Sequence, residues 1–333
     1  MVSKESRKKR FYAQGKMALN QIVPNEHFIH YMLPKTGQVI FETTIDSGLG
    51  GEEVEIDVMN DLHINYFTKE DEANEELMLT KKCRIWNADG ASVPAVIGGM
   101  DVAQFADQTV LAGDILDFMS CGTMKMVKKH IFDRDPNVLG AIGCHDFARN
   151  VQTGMEDKEP SSVRAGILND FWIHDIHYTA RDVKNKVICV VLDNSLGTYY
   201  EGNAQKLKKE VERARKENKI ILIFQHEPAS TGVESDKDLA PYYDAYMGKR
   251  NYYDGELVFS KAKEMTDEDK EMYDVLKEST DVIKGIFCGH FHSLFYNELT
   301  FETKEGIKTI PQYTCVGNTY FGFKGVVTRV FVK

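Results

Sequence analysis

Six residues of this chain have types and spacings that suit a pair of divalent cations: Asp61 with His63, Asp114, His226, and His290 with His292. Aspartate oxygens and imidazole nitrogens are ligands for ions of the manganese, iron and zinc kind. Two such ions about 3.5 to 4 Å apart are a common device for phosphoryl transfer. They need a carboxylate between them, because two bare cations at that distance repel. Asp61 and His63 stand at i and i+2, which at a strand end turns both side chains to one side. Asp114 follows Gly113, and a glycine lets the backbone turn sharply. Taken singly, D-x-H and G-D are weak signals. A lone histidine after a strand, such as His226, is more often a hydrogen-bonded core residue. Gly289-His290-x-His292 is the stronger signal, and the ordered series outweighs any one member.

Elements must bring these residues together across more than 200 positions. Val54 to Met59 is an apolar run that leads into Asn60-Asp61-Leu62-His63. Thr109 to Ala112 leads into Gly113-Asp114, and Val138 to Ile142 into Gly143-Cys144-His145-Asp146. Ile220 to Gln225 leads into His226, and Val282 to Cys288 into Gly289 to His292. Short apolar runs of this kind read as buried strands. Asn203 to Asn218 reads as a helix, with Leu207, Val211 and Ala214 on one stripe. Asp267 to Glu278 reads as another. Strands alternating with helices indicate an α/β sheet core, whose ligands bind beyond the carboxyl ends of the strands. Gln38 to Ile45 reads as one further strand. Ser293 to Thr303, Ile307 to Val316 and Gly325 to Val332 suggest a second, more antiparallel sheet. Ala88 to Met100, Phe147 to Val183 and Glu227 to Met265 read as loops.

The series Asp61-x-His63, Gly113-Asp114-x-x-Asp117, Gly143-Cys144-His145-Asp146, His226, Gly289-His290-x-His292 resembles the signature of the calcineurin-like metallophosphoesterases, and it spans most of the chain. The resemblance implies a sandwich of two mixed β-sheets flanked by helices. It implies a metal-dependent phosphohydrolase with two divalent ions, Mn, Fe or Zn. Such an enzyme cleaves a phosphomonoester or phosphodiester by attack of a metal-bridging hydroxide. Asp61, His63 and His292 would hold the first ion, and Asp114 would bridge. His226, His290 and residue 144 would hold the second. His145 and Asp146 would be the catalytic pair, with His145 serving the leaving group as general acid. Asp146, like Asp117, would orient the ligands. The family has asparagine where this chain has Cys144. A thiolate there would favour softer metals, whereas a cysteine packed as a small hydrophobe would not ligate at all. Phe118, where the related protein phosphatases carry arginine, argues against that subfamily. Leu116-Asp117-Phe118 lacks the tyrosine of purple acid phosphatases. A non-catalytic metal-binding scaffold of the same fold, acting in protein interaction, is the alternative reading.

Bulk properties bound the rest. A chain of 333 residues with 42% hydrophobic residues can bury a large core. A net charge of −10 argues against a general nucleic-acid binder. No run is long and apolar enough to span a membrane, and the charged start has no apolar segment behind it to read as a secretory signal. Arg7 to Arg10 reads as a solvated tail, with contact to RNA or an anionic surface as the other reading. Six cysteines without a C-x-x-C pair fit a cytoplasmic protein with free thiols. The expected organisation is an N-terminal extension over 1–50 carrying a strand. A metallophosphoesterase domain follows over 51–333, with 227–266 as a candidate lid insertion. The expected partner is a phosphorylated small molecule or nucleotide.

Overall fold

The computed structural model describes residues 3–13, 26–84, 90–151, 153, 156–229, 251–253, 256–258, 266–318 and 324–333. Branched apolar residues build the strands. The first sheet contains β1 (Ile29–Met32), β2 (Val39–Ile45), β3 (Val54–Met59), β4 (Gln108–Ala112), β5 (Leu139–Ala141) and β14 (Val326–Val332), in the order β1-β2-β14-β3-β4-β5. The second contains β6 (Tyr178–Val183), β7 (Val187–Leu192), β8 (Ile220–Phe224), β11 (Ile283–Cys288), β12 (Phe295–Thr303) and β13 (Gly306–Thr314), in the order β12-β13-β11-β8-β7-β6. Two short strands, β9 (Asn251–Tyr253) and β10 (Glu256–Val258), pair with each other.

The sheets share one buried layer, formed by alternate residues such as Phe41, Ile56 and Val330 from one and Cys189, Leu222 and Phe287 from the other. Fully burying each large side chain of this kind stabilises by roughly 1.5 to 3 kcal/mol. The outer face of the first sheet is covered by α3 (Val93–Ala103) and α5 (Ser161–Phe171), with α4 (Cys121–Val127) and its π-helical last turn beside them. The outer face of the second sheet carries α6 (Asn203–Glu217) and α7 (Asp267–Glu278). Leu207, Val211 and Ala214 of α6 are buried there at helical spacing, and left-handed Asn218 ends the helix. A reciprocal cap between Thr266 and Asp269 starts α7. The expected architecture, two mixed sheets flanked by helices, is the observed one.

Several local expectations are corrected. The C-terminal strands do not form a separate antiparallel sheet. β13 pairs in parallel with β11, so the β12–β13 hairpin extends a largely parallel sheet. β14 enters the other sheet between β2 and β3. The physical reason is charge as much as shape. Arg329 of β14 donates to both oxygens of Asp57 on β3, at 2.8 and 2.7 Å, and lies 3.0 Å from Glu55. Buried carboxylates on a strand need such a partner. The stretch 88–100 holds much of α3, and 147–183 holds α5 and β6. The sequence of α3 is apolar on nearly every side and contains Gly98 and Gly99, so it shows no helical stripe. Those glycines permit contact: a Cβ on Gly98 would lie 1.7 Å from the Lys324 carbonyl oxygen, and one on Gly99 2.5 Å from the Met59 sulfur. The charged start is not a tail but a helix, α1 (Lys4–Tyr12), whose Phe11 and Tyr12 pack against Phe105 and whose Lys8 pairs with Glu55. β1 and β2, within the 1–50 stretch, belong to the same sheet as β3. Most of the candidate lid, 227–266, lies outside the described residues. Among the described residues no helix is long and apolar enough to cross a membrane.

Candidate metal centre

β3, β4 and β5 run parallel in one sheet, and β8 and β11 run parallel in the other. Their carboxyl ends meet at one edge of the sandwich. Backbone hydrogen bonds lace the turns that follow. Asp61 N–H donates to the Gly113 carbonyl at 3.0 Å, His63 N–H to that of Asp114 at 2.9 Å, and Gly289 N–H to that of His226 at 3.0 Å. His145 N–H donates to Asp114 Oδ1 at 2.9 Å.

All seven metal-ligand candidates named from the sequence come together, in two groups. Asp61, His63 and His292 form one, and Asp114, Cys144, His226 and His290 the other, each with its ligand atoms within 4.8 Å of one another. His292 Nε2 lies 3.2 Å from Asp61 Oδ1 and 3.1 Å from His63 Nε2. His226 Nε2 lies 3.3 Å from Asp114 Oδ2 and 3.1 Å from His290 Nδ1. Ligands about 2 Å from one tetrahedral ion stand about 3.3 Å apart, so these spacings fit ion cradles. Asp114 Oδ2 is also 3.8 Å from His63 Nε2, which sets this carboxylate against both groups. Cys144 Sγ is 3.9 Å from Asp114 Oδ2, inside the second group rather than packed among apolar side chains.

The backbone supports the same fit. Asp61, His63, Asp114, His290 and His292 all have left-handed φ, between 41° and 70°. Each costs of order 1 kcal/mol or more in a residue with a Cβ, and such strain collects at functional sites. The motif glycines make room for the ligands. A Cβ on Gly113 would lie 2.4 Å from His226 Nδ1, one on Gly143 2.2 Å from Asp114 Oδ1, and one on Gly289 2.8 Å from Asp61 Oδ2.

Electrostatics keep the carboxylates ionised, the form that ligates. Burial would raise Asp61, but His292 beside it brings it down to about 2. Burial likewise opposes ionisation of Asp114, and His226 and His145 overcome it, holding it well below the usual carboxylate range. His226 is raised well above the ordinary histidine value, Asp114 outweighing burial. His292 is raised by Asp61, again against burial.

The remaining sequence-named residues brace this frame. Asp117 accepts from His63 Nδ1 at 3.2 Å, which leaves His63 Nε2 facing the Asp61 group. His145 Nδ1 lies 2.9 Å from the Asp117 carbonyl oxygen, and its ring meets that of His63 edge-on at 4.9 Å. Burial lowers His145 below the ordinary histidine value, with Asp114 acting the other way. Asp146 is fully buried and accepts from Leu116 N–H at 2.7 Å and Gly143 N–H at 2.6 Å, so it holds the turn that carries Cys144 and His145. Burial and the nearby Asp114 push it up to about 8.

Sequence reasoning missed three supports. Arg84, at the end of α2 (Glu75–Cys83), grips Asp117 with both a 3.0 Å bond from Nε and a second from its guanidinium. No local motif marks it. Asn194 accepts from the N–H groups of His226 at 3.2 Å and Glu227 at 3.0 Å. It sits in Asp193-Asn194-Ser195, a polar cluster just after the β7 run, and the strand-end pattern could have found it. Asn60 donates to Asp61 and to the Cys315 carbonyl oxygen.

No family model matches the sequence, and no curated protein matches it. Among solved structures, a dimetal phosphatase from Danio rerio is 12% identical, with a TM-score of 0.36 over 80% of this chain and 88% of that one. A purple acid phosphatase from yellow lupin is 12% identical, with a TM-score of 0.42 over 88% of this chain. A candidate 5'-nucleotidase from Staphylococcus aureus is 13% identical, with a TM-score of 0.33 over 80% of this chain. This chain spans 46% of the lupin protein and 55% of the staphylococcal one.

Proposed function

We propose that this chain is a two-metal phosphohydrolase acting on phosphoric esters. The observation that carries the reading is Asp114, whose Oδ2 lies 3.3 Å from His226 and 3.8 Å from His63 and so adjoins two separate ligand groups. A carboxylate set between two cradles is the arrangement two neighbouring cations require. Asp61, His63 and His292 would hold one ion, and His226, His290 and Cys144 the other, with Asp114 shared. When bound, the two ions supply charge neutralisation at the phosphate and acidify water to a pKa of about 7. Manganese, iron and zinc match the aspartate and histidine donors, and the thiolate of Cys144 shifts the second site toward zinc or iron.

The chain's own groups do the rest. His145, its Nδ1 held at the Asp117 carbonyl oxygen, would serve the leaving group from Nε2 as general acid in its protonated form. Asp117, fixed by Arg84, fixes the tautomer and direction of His63. Asp146 positions the 143–146 turn and touches the reaction only through it. The substrate is a phosphorylated small molecule or nucleotide.

Asp114→Asn tests the reading. The purified variant should lose at least one of two bound ions by elemental analysis and most of its phosphate release from a chromogenic ester. Full metal content together with an unchanged rate would reject it.

A further inference from the structure

Beside the metal centre lies a cavity of about 650 Å³, lined by Ile142, Phe147, His177, Asp193, Ser195 and Tyr200 among others. Its wall is continuous with the segment that carries Cys144 and His145 and with a segment that braces the His226 backbone. Ile142 and Phe147 are each two residues from Cys144 or His145. At about 3.5 Å per residue the wall therefore begins within about 7 Å of that backbone. Asp193 and Ser195 flank Asn194, which holds the His226 backbone.

The cavity contains a rigidly built polar group. His177 Nδ1 lies 2.6 Å from Asp193 Oδ2, and its ring stacks on Tyr200 at 3.5 Å with planes 6° apart. The His177 carbonyl accepts from Asp193 N–H at 3.1 Å and from Asn203 Nδ2 at 3.0 Å. Ser195 donates to the other Asp193 oxygen, from Oγ at 2.6 Å and from N–H at 3.0 Å. With Nδ1 committed to the carboxylate, Nε2 is the ring atom left to meet a ligand, and the tautomer is set by the partner of the other nitrogen. Among the described residues none hydrogen-bonds His177 Nε2. The metal-centre reading gives this histidine, its aspartate and the cavity no task.

Charge and size narrow the occupant. Among the described residues no lysine or arginine lines the cavity, whereas Asp193 and Glu201 do. A second phosphate or a carboxylate would find no cation to answer it among the described lining residues. The Asp193 charge is already answered by His177 and Ser195, so the wall presents hydrogen-bonding and aromatic surface rather than a bare anion. A volume of this size suits one small organic group.

We propose that this cavity holds the alcohol portion of the substrate, an uncharged hydrogen-bonding ring of nucleoside or monosaccharide size that is hydrogen-bonded to His177 Nε2. The assignment rests on the phosphohydrolase reading and adds the substrate class to it. It places the scissile ester between the Cys144–His145 turn and the cavity. Esters whose alcohol carries a second phosphate are then poor substrates.

The test uses the full chain and two probes, adenosine and methyl glucoside, titrated calorimetrically into metal-free protein. Turnover of the ringless ester glycerol 2-phosphate by the metal-loaded wild type is measured separately. One probe should bind the wild type and compete with phosphoester substrate, and which probe it is distinguishes nucleoside from sugar. His177→Phe keeps the stacked ring but removes Nε2, and should weaken that binding about fivefold or more, the worth of one neutral hydrogen bond. Leu196→Trp fills the rim from a residue that is 59% exposed, so folding is spared, and should weaken binding by a larger factor. Turnover of glycerol 2-phosphate with no binding of either probe overturns the cavity assignment and leaves the phosphohydrolase standing. Probe binding with no turnover of any phosphoester under zinc, iron or manganese overturns the leaving-group role together with the phosphohydrolase. Probe binding unchanged in both variants places the probe elsewhere and overturns the assignment to this cavity.

Discussion

Gly113→Ala is a one-carbon change whose effect can be worked from the geometry. Gly113 has φ +83°, and an added Cβ would stand 2.4 to 2.6 Å from three atoms of the His226 side chain. His226 is fully buried, its Nδ1 lies 3.1 Å from the Ala112 carbonyl oxygen and its Nε2 lies against Asp114, so the ring has nowhere to swing. The left-handed backbone costs about 1 to 2 kcal/mol for alanine. Overpacking of a filled site costs about 1 to 3 kcal/mol more. The sum, about 2 to 5 kcal/mol, corresponds to a fall in Tm of roughly 3 to 7 °C at about 1.4 °C per kcal/mol in a chain of this size. Relief by pushing His226 outward spoils the second cradle, so bound metal should drop from two ions toward one. The assay is calorimetry of the metal-free protein with elemental analysis of the loaded protein. Gly166→Ala is the control. It lies in α5 with nothing within 4 Å of its would-be Cβ, and should hold or raise Tm, since alanine is favoured over glycine in helices by about 0.5 to 1 kcal/mol. A Gly113→Ala protein with wild-type Tm and two ions would refute the claim that this glycine exists to admit His226.

Three further outcomes are expected. His145→Ala should keep both ions and lose about 100- to 10,000-fold in turnover, the usual worth of a general acid. The loss should shrink for nitrophenyl esters, whose leaving group barely needs a proton, and an equal loss across leaving groups would contradict the acid role. Cys144→Asn should move metal preference from zinc toward manganese, read as activity and bound metal across both ions, because a thiolate is softer than an amide oxygen; identical preference in both proteins would remove Cys144 from the ligand set. Far from the site, burial opposes ionisation of Asp182, but Lys219 and Arg213 hold it below its ordinary value. A depressed carboxylate contributes stability that is present above the unfolded value and lost as pH falls through the folded one. The Tm gap between wild type and Asp182→Asn should therefore be small, since the pair is partly exposed, and should be wider at pH 7 than at pH 3; a gap independent of pH would mean the pair is idle.

The residues that converge in the two Asp/His groups were legible in the sequence because each stands where an apolar run stops. β3 begins and ends at Val54 and Met59 as read, and Asp61 and His63 follow at once. The runs before Asp114, His226 and His290 became β4, β8 and β11 within a residue at either end. A strand buried on both faces writes itself as consecutive branched residues, and α6 and α7 write themselves as a 3.6-residue stripe. What stayed hidden has no local period. α3 is apolar all round and glycine-bearing, so its pattern resembles a loop, and α1 hides its two packing residues behind a run of charges. β14 reads as a strand, but its place between β2 and β3 depends on Arg329 meeting Asp57 across 272 positions. Arg84 on Asp117 and Asn194 on the His226 backbone are likewise contacts between segments that no short window contains. Cys144 marks the boundary most clearly. Its sequence allowed either a ligand or a packed thiol, and only the convergence of β5, β4 and β8 set its sulfur among Asp114, His226 and His290.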